Sequence, residues 1–315
     1  MTRRKTIFGS LAAAFGGGGL YWFLTRAPSA DAVRTQLIGK SVAAPQQPLT
    51  VFHLGHSLVN RDMPAMLAQL SPKGHAYESQ LGWGTTLQAH WGDAPINGFE
   101  AENAHPRFRP AMEAVQSGDY DAFVLTEMVE IRASIRYYES PVYLARWASE
   151  AVKARPDVRL YLYETWHQLD DPEGWLERID LDHERYWLSR VLGPALENVP
   201  VGTRIFLLPA GPVLAAFVRA VEAKGGVGNV RDRTDLFARA EDGTLDVIHL
   251  NDLGNYLVAL THYAVLYQQS TVGLPHLLTR ADGRPAVAPD AEVARLMQDV
   301  TDSVVRGLGL SGLAG

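Results

Sequence analysis

Asp246-Val-Ile-His249 sets a carboxylate three residues before an imidazole, where a polar stretch (241–244) gives way to a long apolar run. A carboxylate in that position can hold one ring nitrogen and leave the other to act as a base. Far upstream, Ser57 follows Gly55-His56 at the end of an apolar run beginning Val51-Phe52. A serine hydroxyl is a poor nucleophile until a neighbouring base takes its proton. Ser57, His249 and Asp246 are therefore the residues that could together attack an acyl carbon. Each also has an ordinary reading. Ser57 could cap a helix that starts near residue 60 or 62, and Asp-x-x-His spacing suits a helix cap or a surface ion pair.

The elements that must carry these side chains follow from periodicity. Short apolar runs predict strands over 49–55, 122–126, 158–164 and 204–209, with a weaker one over 76–81. Helix-compatible stretches at 62–70, 109–117, 140–154, 182–197 and 212–224 alternate with them. Strands that are hydrophobic almost throughout, alternating with helices, imply a mainly parallel sheet covered on both faces. Two further helices are expected at 253–268 and 289–308. Ligands of open α/β sheets collect at the carboxyl ends of the strands, which is where Ser57 would stand.

Composition narrows the chemistry. Of 315 residues, 47% are hydrophobic and 20% charged, enough apolar material for a large core. A formal net charge of −6 without a basic stripe argues against nucleic-acid binding. The absence of cysteine removes disulfides, thiolate metal sites and cysteine nucleophiles. His53 and His56 lie three apart on a strand, so they point to opposite faces, and no metal or other cofactor is expected.

The first 26 residues read separately. Arg3-Arg4-Lys5 precedes an uncharged run from Thr6 to Thr25, long enough to cross a bilayer with its positive flank in the cytoplasm. A cleaved export signal and an uncleaved membrane anchor both fit, the anchor better, because the small residues near Ala27 make a mediocre cleavage site. Either implies an exported, periplasmic or extracytoplasmic protein. Residues 27–48, rich in Pro and Gln, are expected to be a linker, and 49–315 one domain.

Leu54-Gly55-His56-Ser57-Leu58 and Asp246-Val-Ile-His249-Leu250 resemble the first and last sequence blocks of the SGNH, or GDSL-type, hydrolases. Val124-Leu125-Thr126-Glu127 and Tyr163-Glu164-Thr165-Trp166 resemble the third and fourth blocks of a bacterial branch of that family. His56 replaces the more usual acidic residue at a position that is not catalytic in the family. The resemblance implies a flavodoxin-like three-layer α/β/α domain with a five-stranded sheet. It also implies a catalytic triad of Ser57, His249 and Asp246.

It further implies an oxyanion hole built from the Ser57 amide, a glycine amide of the second block and an asparagine of the third. Gly84 is the preferred second donor and Gly82 the reserve. The third block has no asparagine, so Thr126 through its hydroxyl, or Glu127 if protonated, would have to serve. Trp83, Glu127 and Trp166 are expected to line the substrate. The implied activity is hydrolysis of an ester through an acyl-serine, with an O-acetylated carbohydrate or cell-envelope polymer as substrate. An acyltransferase using the same triad and a non-catalytic carbohydrate-binding or assembly protein are the alternatives. The oligomeric state is not legible.

Overall fold

Five strands pair edge to edge in one parallel sheet, in the order β2-β1-β3-β4-β5, in a computed structural model that describes residues 28–92 and 95–313. They are β1 (Thr50–His56), β2 (Ala76–Gly82), β3 (Ala122–Leu125), β4 (Arg159–Glu164) and β5 (Ile205–Pro209). β1, β3, β4 and β5 are buried almost throughout, which is why they read as unbroken apolar runs. β2 is an edge strand and carries Glu78, Ser79 and Gln80.

One face of the sheet is covered by the helices Asp62–Leu70, Ala210–Glu222, Asp252–Tyr267 and Ala291–Leu308. The other is covered by Ala111–Ser117, Ser140–Ala154 and a π-helical run His183–Leu192. Every residue of Asp252–Tyr267 is buried because neighbouring helices enclose it, so its sequence is largely apolar on every side, with Asp252, Asn255, Thr261 and His262 as the polar exceptions. The result is the expected three-layer α/β/α architecture.

Three features depart from the sequence reading. Within the stretch expected to be a linker, Ala30–Leu37 forms a helix. Ser29 Oγ caps it by accepting the Ala32 N–H at 3.2 Å, and Val33 and Leu37, one turn apart, are buried. Two apolar residues are too few to register as a period among Pro and Gln. The helix expected over 182–197 begins earlier, at Trp175, and passes through the π-helical segment. A two-stranded antiparallel sheet, β6 (Phe237–Arg239) with β7 (Leu245–Leu250), was not expected at all.

The N-terminal segment 1–26 lies outside the described residues. Among those described, no helix is long and apolar enough to cross a membrane.

Candidate active site

β1 delivers Ser57 to the carboxyl end of the sheet, between the ends of β2 and β3. The turn it enters is fixed from three sides. A Cβ on Gly55 would stand 2.3 Å from Thr126 Cγ2, so β1 can approach β3 this closely only with glycine. The buried His56 ring donates from Nε2 to the Glu127 carbonyl at 2.7 Å and accepts the Leu58 N–H on Nδ1 at 3.3 Å. Burial pushes this imidazole down to about 4, so at neutral pH it is uncharged and held in one tautomer. Below the strand, His90 Nε2 donates to the Gly55 carbonyl at 2.7 Å while its Nδ1 accepts from Gln80 at 2.9 Å.

Ser57 is not a helix cap. Asn60, in the left-handed region at φ 47°, does that work, its Oδ1 accepting the N–H groups of Asp62 and Met63 at 2.8 and 3.0 Å. The half-buried Ser57 hydroxyl instead meets His249 Nε2 at 2.9 Å.

His249 and Asp246 stand on β7, where they form an excursion. Leu250 pairs with Phe237 and Leu245 with Arg239, so four residues of β7 span what a single residue, Ala238, spans on β6. Such bulges re-aim side chains that a regular strand would hold apart. Asp246 shapes the excursion itself: Oδ1 accepts the N–H groups of Ile248 and His249, both at 2.9 Å, and Oδ2 receives His249 Nδ1 at 2.8 Å. Burial pushes the Asp246 carboxyl up, but the two N–H groups and the ring more than offset it and hold it below its ordinary value. It is therefore ionised at neutral pH and accepts a hydrogen bond from Nδ1–H, which leaves the Nε2 lone pair facing Ser57. The pair stays open to solvent, with 44% of the His249 side chain and 35% of that of Asp246 exposed.

Asn251 ties the hairpin to the helix that follows. Its side-chain amide donates to the carbonyls of Asp235 and Phe237, and its Oδ1 accepts from Leu253 and Gly254.

The remaining expected residues divide. Gly84 lies in the turn after β2, whose Gly82 is in register with His56; it is exposed, at φ 54°, with open space where a side chain would project. Trp83 is 56% exposed, its indole N–H donating to Glu102 at 2.8 Å. It lines a cleft of about 870 Å³ with Trp91, His90 and Phe99.

Three expectations are corrected. Thr126 is fully buried and its single hydroxyl proton goes to the Tyr163 carbonyl at 2.7 Å, so it has none for an oxyanion. Glu127 is also fully buried, its oxygens accepting from Ser134 Oγ at 2.5 Å, Met128 N–H at 3.2 Å and Leu87 N–H at 3.4 Å. It faces the interior and does not line the substrate. Trp166 is 1% exposed and donates its indole N–H to the Ile248 carbonyl at 2.9 Å, making it part of the frame. Spacing alone cannot say which way these side chains turn.

The structural roles of His56, His90 and Asn251 left no mark in the sequence beyond polar residues inside apolar runs. His53 turns away from His56, its ring 5.7 Å from that of His262. Among the described residues no group of three or more His, Asp or Glu could hold a metal ion.

No protein-family model and no curated protein sequence matches the chain. Solved structures do resemble it. A DUF4886 family protein from Bacteroides uniformis is 13% identical, with 82% of this chain and 95% of that one covered and a TM-score of 0.47. A candidate GDSL-like lipase from Parabacteroides merdae is 12% identical, with 73% and 100% covered and a TM-score of 0.40. The Clostridium thermocellum family 3 carbohydrate esterase is 11% identical, with 69% and 94% covered and a TM-score of 0.37.

Proposed function

We propose that this protein is a serine esterase of the SGNH type, with Ser57 as nucleophile, His249 as base and then acid, and Asp246 as the group that orients the imidazole. The observation that carries this reading is the unbroken chain Asp246 Oδ2–His249 Nδ1 (2.8 Å) and His249 Nε2–Ser57 Oγ (2.9 Å) at the carboxyl end of a parallel sheet. His249 takes the Ser57 proton as the hydroxyl oxygen attacks the ester carbonyl. The tetrahedral oxyanion is met by the N–H groups of Ser57 and Gly84. Collapse returns the proton to the departing alcohol and leaves an acyl-serine. Water, activated by His249, then releases the acid.

The exposure of His249 favours hydrolysis over transfer, because water reaches the base freely. The exposed Trp83 offers an aromatic face that suits a sugar ring, and so favours the O-acetyl groups of a carbohydrate or cell-envelope polymer. The positively flanked apolar span at the N-terminus supports an extracytoplasmic protein tethered to the membrane.

The test is hydrolysis of p-nitrophenyl acetate, and acetate release from O-acetylated polysaccharide, by the full chain and by Ser57→Ala. The substitution is expected to lower turnover by ~10⁶-fold with the thermal midpoint unchanged. Equal turnover in the two proteins would remove Ser57 as the nucleophile.

A further inference from the structure

β7 carries both members of the acid–base pair yet belongs to no edge of the central sheet. On one side β6 holds it only at Leu245 and Leu250, the two ends of the excursion. On the other side it is held by the chain leaving β4. Trp166 Nε1–H donates to the Ile248 carbonyl at 2.9 Å, and Leu169 N–H donates to the Val247 carbonyl at 2.8 Å. These two carbonyls are the ones between Asp246 and His249. The segment that supplies the donors is itself locked. Trp175 Nε1 donates to the His167 carbonyl at 2.9 Å, and the His167 ring meets Asp182 Oδ2 at 2.9 Å. Arg178, 3% exposed, joins Asp182 at 2.9 Å and Asp171 at 2.7 Å.

We infer that Trp166 is a positioning residue for the catalytic histidine: its indole N–H fixes the Ile248 backbone and so aims His249 Nε2 at Ser57 Oγ. The inference rests on the proposed role of His249 as base. A tryptophan that only fills the core needs its rings but not its N–H, and this difference can be tested. The Ser–His contact must be held to within a fraction of an ångström, since a displacement of about 1 Å can cost ~10² in rate.

The experiment replaces Trp166 in the full chain with 3-benzothienylalanine, which puts sulfur in place of the N–H at nearly constant shape. Trp166→Phe serves as a second variant. The expected result is a fall of about tenfold in kcat on p-nitrophenyl acetate with KM unchanged. The proton NMR signal of the His249 Nδ1–H, hydrogen-bonded to Asp246, should shift or broaden alongside. The same replacement at Trp147, whose N–H goes to the Leu87 carbonyl at 3.0 Å, should leave both readouts where they were. A kcat within twofold of wild type and an unmoved His249 signal, even with a lower thermal midpoint, would overturn the inference and leave Trp166 as packing. If Ser57→Ala proves as active as wild type, the esterase reading fails on its own. The NMR signal then still decides whether the Trp166 N–H holds His249.

Discussion

Replacing Asp246 with Asn tests the site at its most informative atom, because it turns one hydrogen-bond acceptor into a donor while leaving the outline of the side chain intact. Asp246 Oδ1 faces two N–H groups at 2.9 Å, so an asparagine must keep its carbonyl oxygen there. Its NH2 group then falls at the Oδ2 position, 2.8 Å from His249 Nδ1. Two donors cannot share that contact, so Nδ1 gives up its proton and Nε2 takes it. In this tautomer Nε2 donates to Ser57 Oγ and can no longer remove its proton. The same exchange in the Ser–His–Asp template costs ~10⁴ in kcat, or about 5.4 kcal/mol of barrier at about 1.36 kcal/mol per tenfold. Both backbone contacts of Oδ1 survive, so the fold should not suffer. Pre-steady-state and steady-state hydrolysis of p-nitrophenyl acetate, with thermal unfolding as the control, measure both. Asp246→Asn should be ~10⁴-fold slower than wild type yet faster than Ser57→Ala. A folded variant within tenfold of wild type would mean that Asp246 does not set the His249 tautomer.

Burial pushes the Glu127 carboxyl up to about 7 from an ordinary 4.5, so the folded chain holds this proton more tightly than the unfolded one. Stability from this group is therefore complete below pH 4.5 and is lost as pH rises through 7, by up to about 3 kcal/mol. The difference in unfolding free energy between wild type and Glu127→Gln should move by that order between pH 4.5 and 8 in urea titrations, whereas a flat difference would contradict a protonated Glu127. Gly55→Ala forces its new methyl group to within 2.3 Å of Thr126 Cγ2 and should cost ~1–3 kcal/mol of stability. Thr126→Ser removes that methyl carbon, so the double variant should recover part of the loss; no recovery would place the strain elsewhere.

Much of the frame was legible because burial on both faces leaves a plain signature. β1, β3, β4 and β5 are runs of apolar residues bounded by turns, and β2 read more weakly because an edge strand tolerates Glu78 and Gln80. The hairpin was invisible for the opposite reason. β7 is only partly buried along most of its length and is interrupted by Asp246 and His249, so neither a period of two nor an apolar run survives. Thr126, Glu127 and Trp166 were found as residues but misjudged in role. Each stands at the end of a sheet strand, where spacing says that a site is near but not whether the side chain turns inward. Burial decides that, and burial depends on what the neighbouring elements bring: the Tyr163 carbonyl for Thr126, Ser134 for Glu127, Ile248 for Trp166.

That Asp246 and His249 were readable while their strand was not has a physical cause. Residues three apart on a regular strand point to opposite faces, so the pair could never meet in an ideal β7. The carboxylate removes the obstacle locally by gathering the N–H groups at 248 and 249 onto one oxygen, bending the chain until the ring reaches the other. The Asp-x-x-His spacing thus encodes its own geometry and needs no help from the sheet to form the pair. What it cannot encode is the distance to a serine on β1. That distance is set by groups remote in sequence: Trp166 and Leu169 against the inner edge of β7, and Asn251 fastening its far end. A substitution among those residues should loosen the Asp–His pair and let it drift away from Ser57. By contrast, Asp246→Asn, which keeps Oδ1, should leave the excursion near Ser57 and change only the tautomer His249 presents.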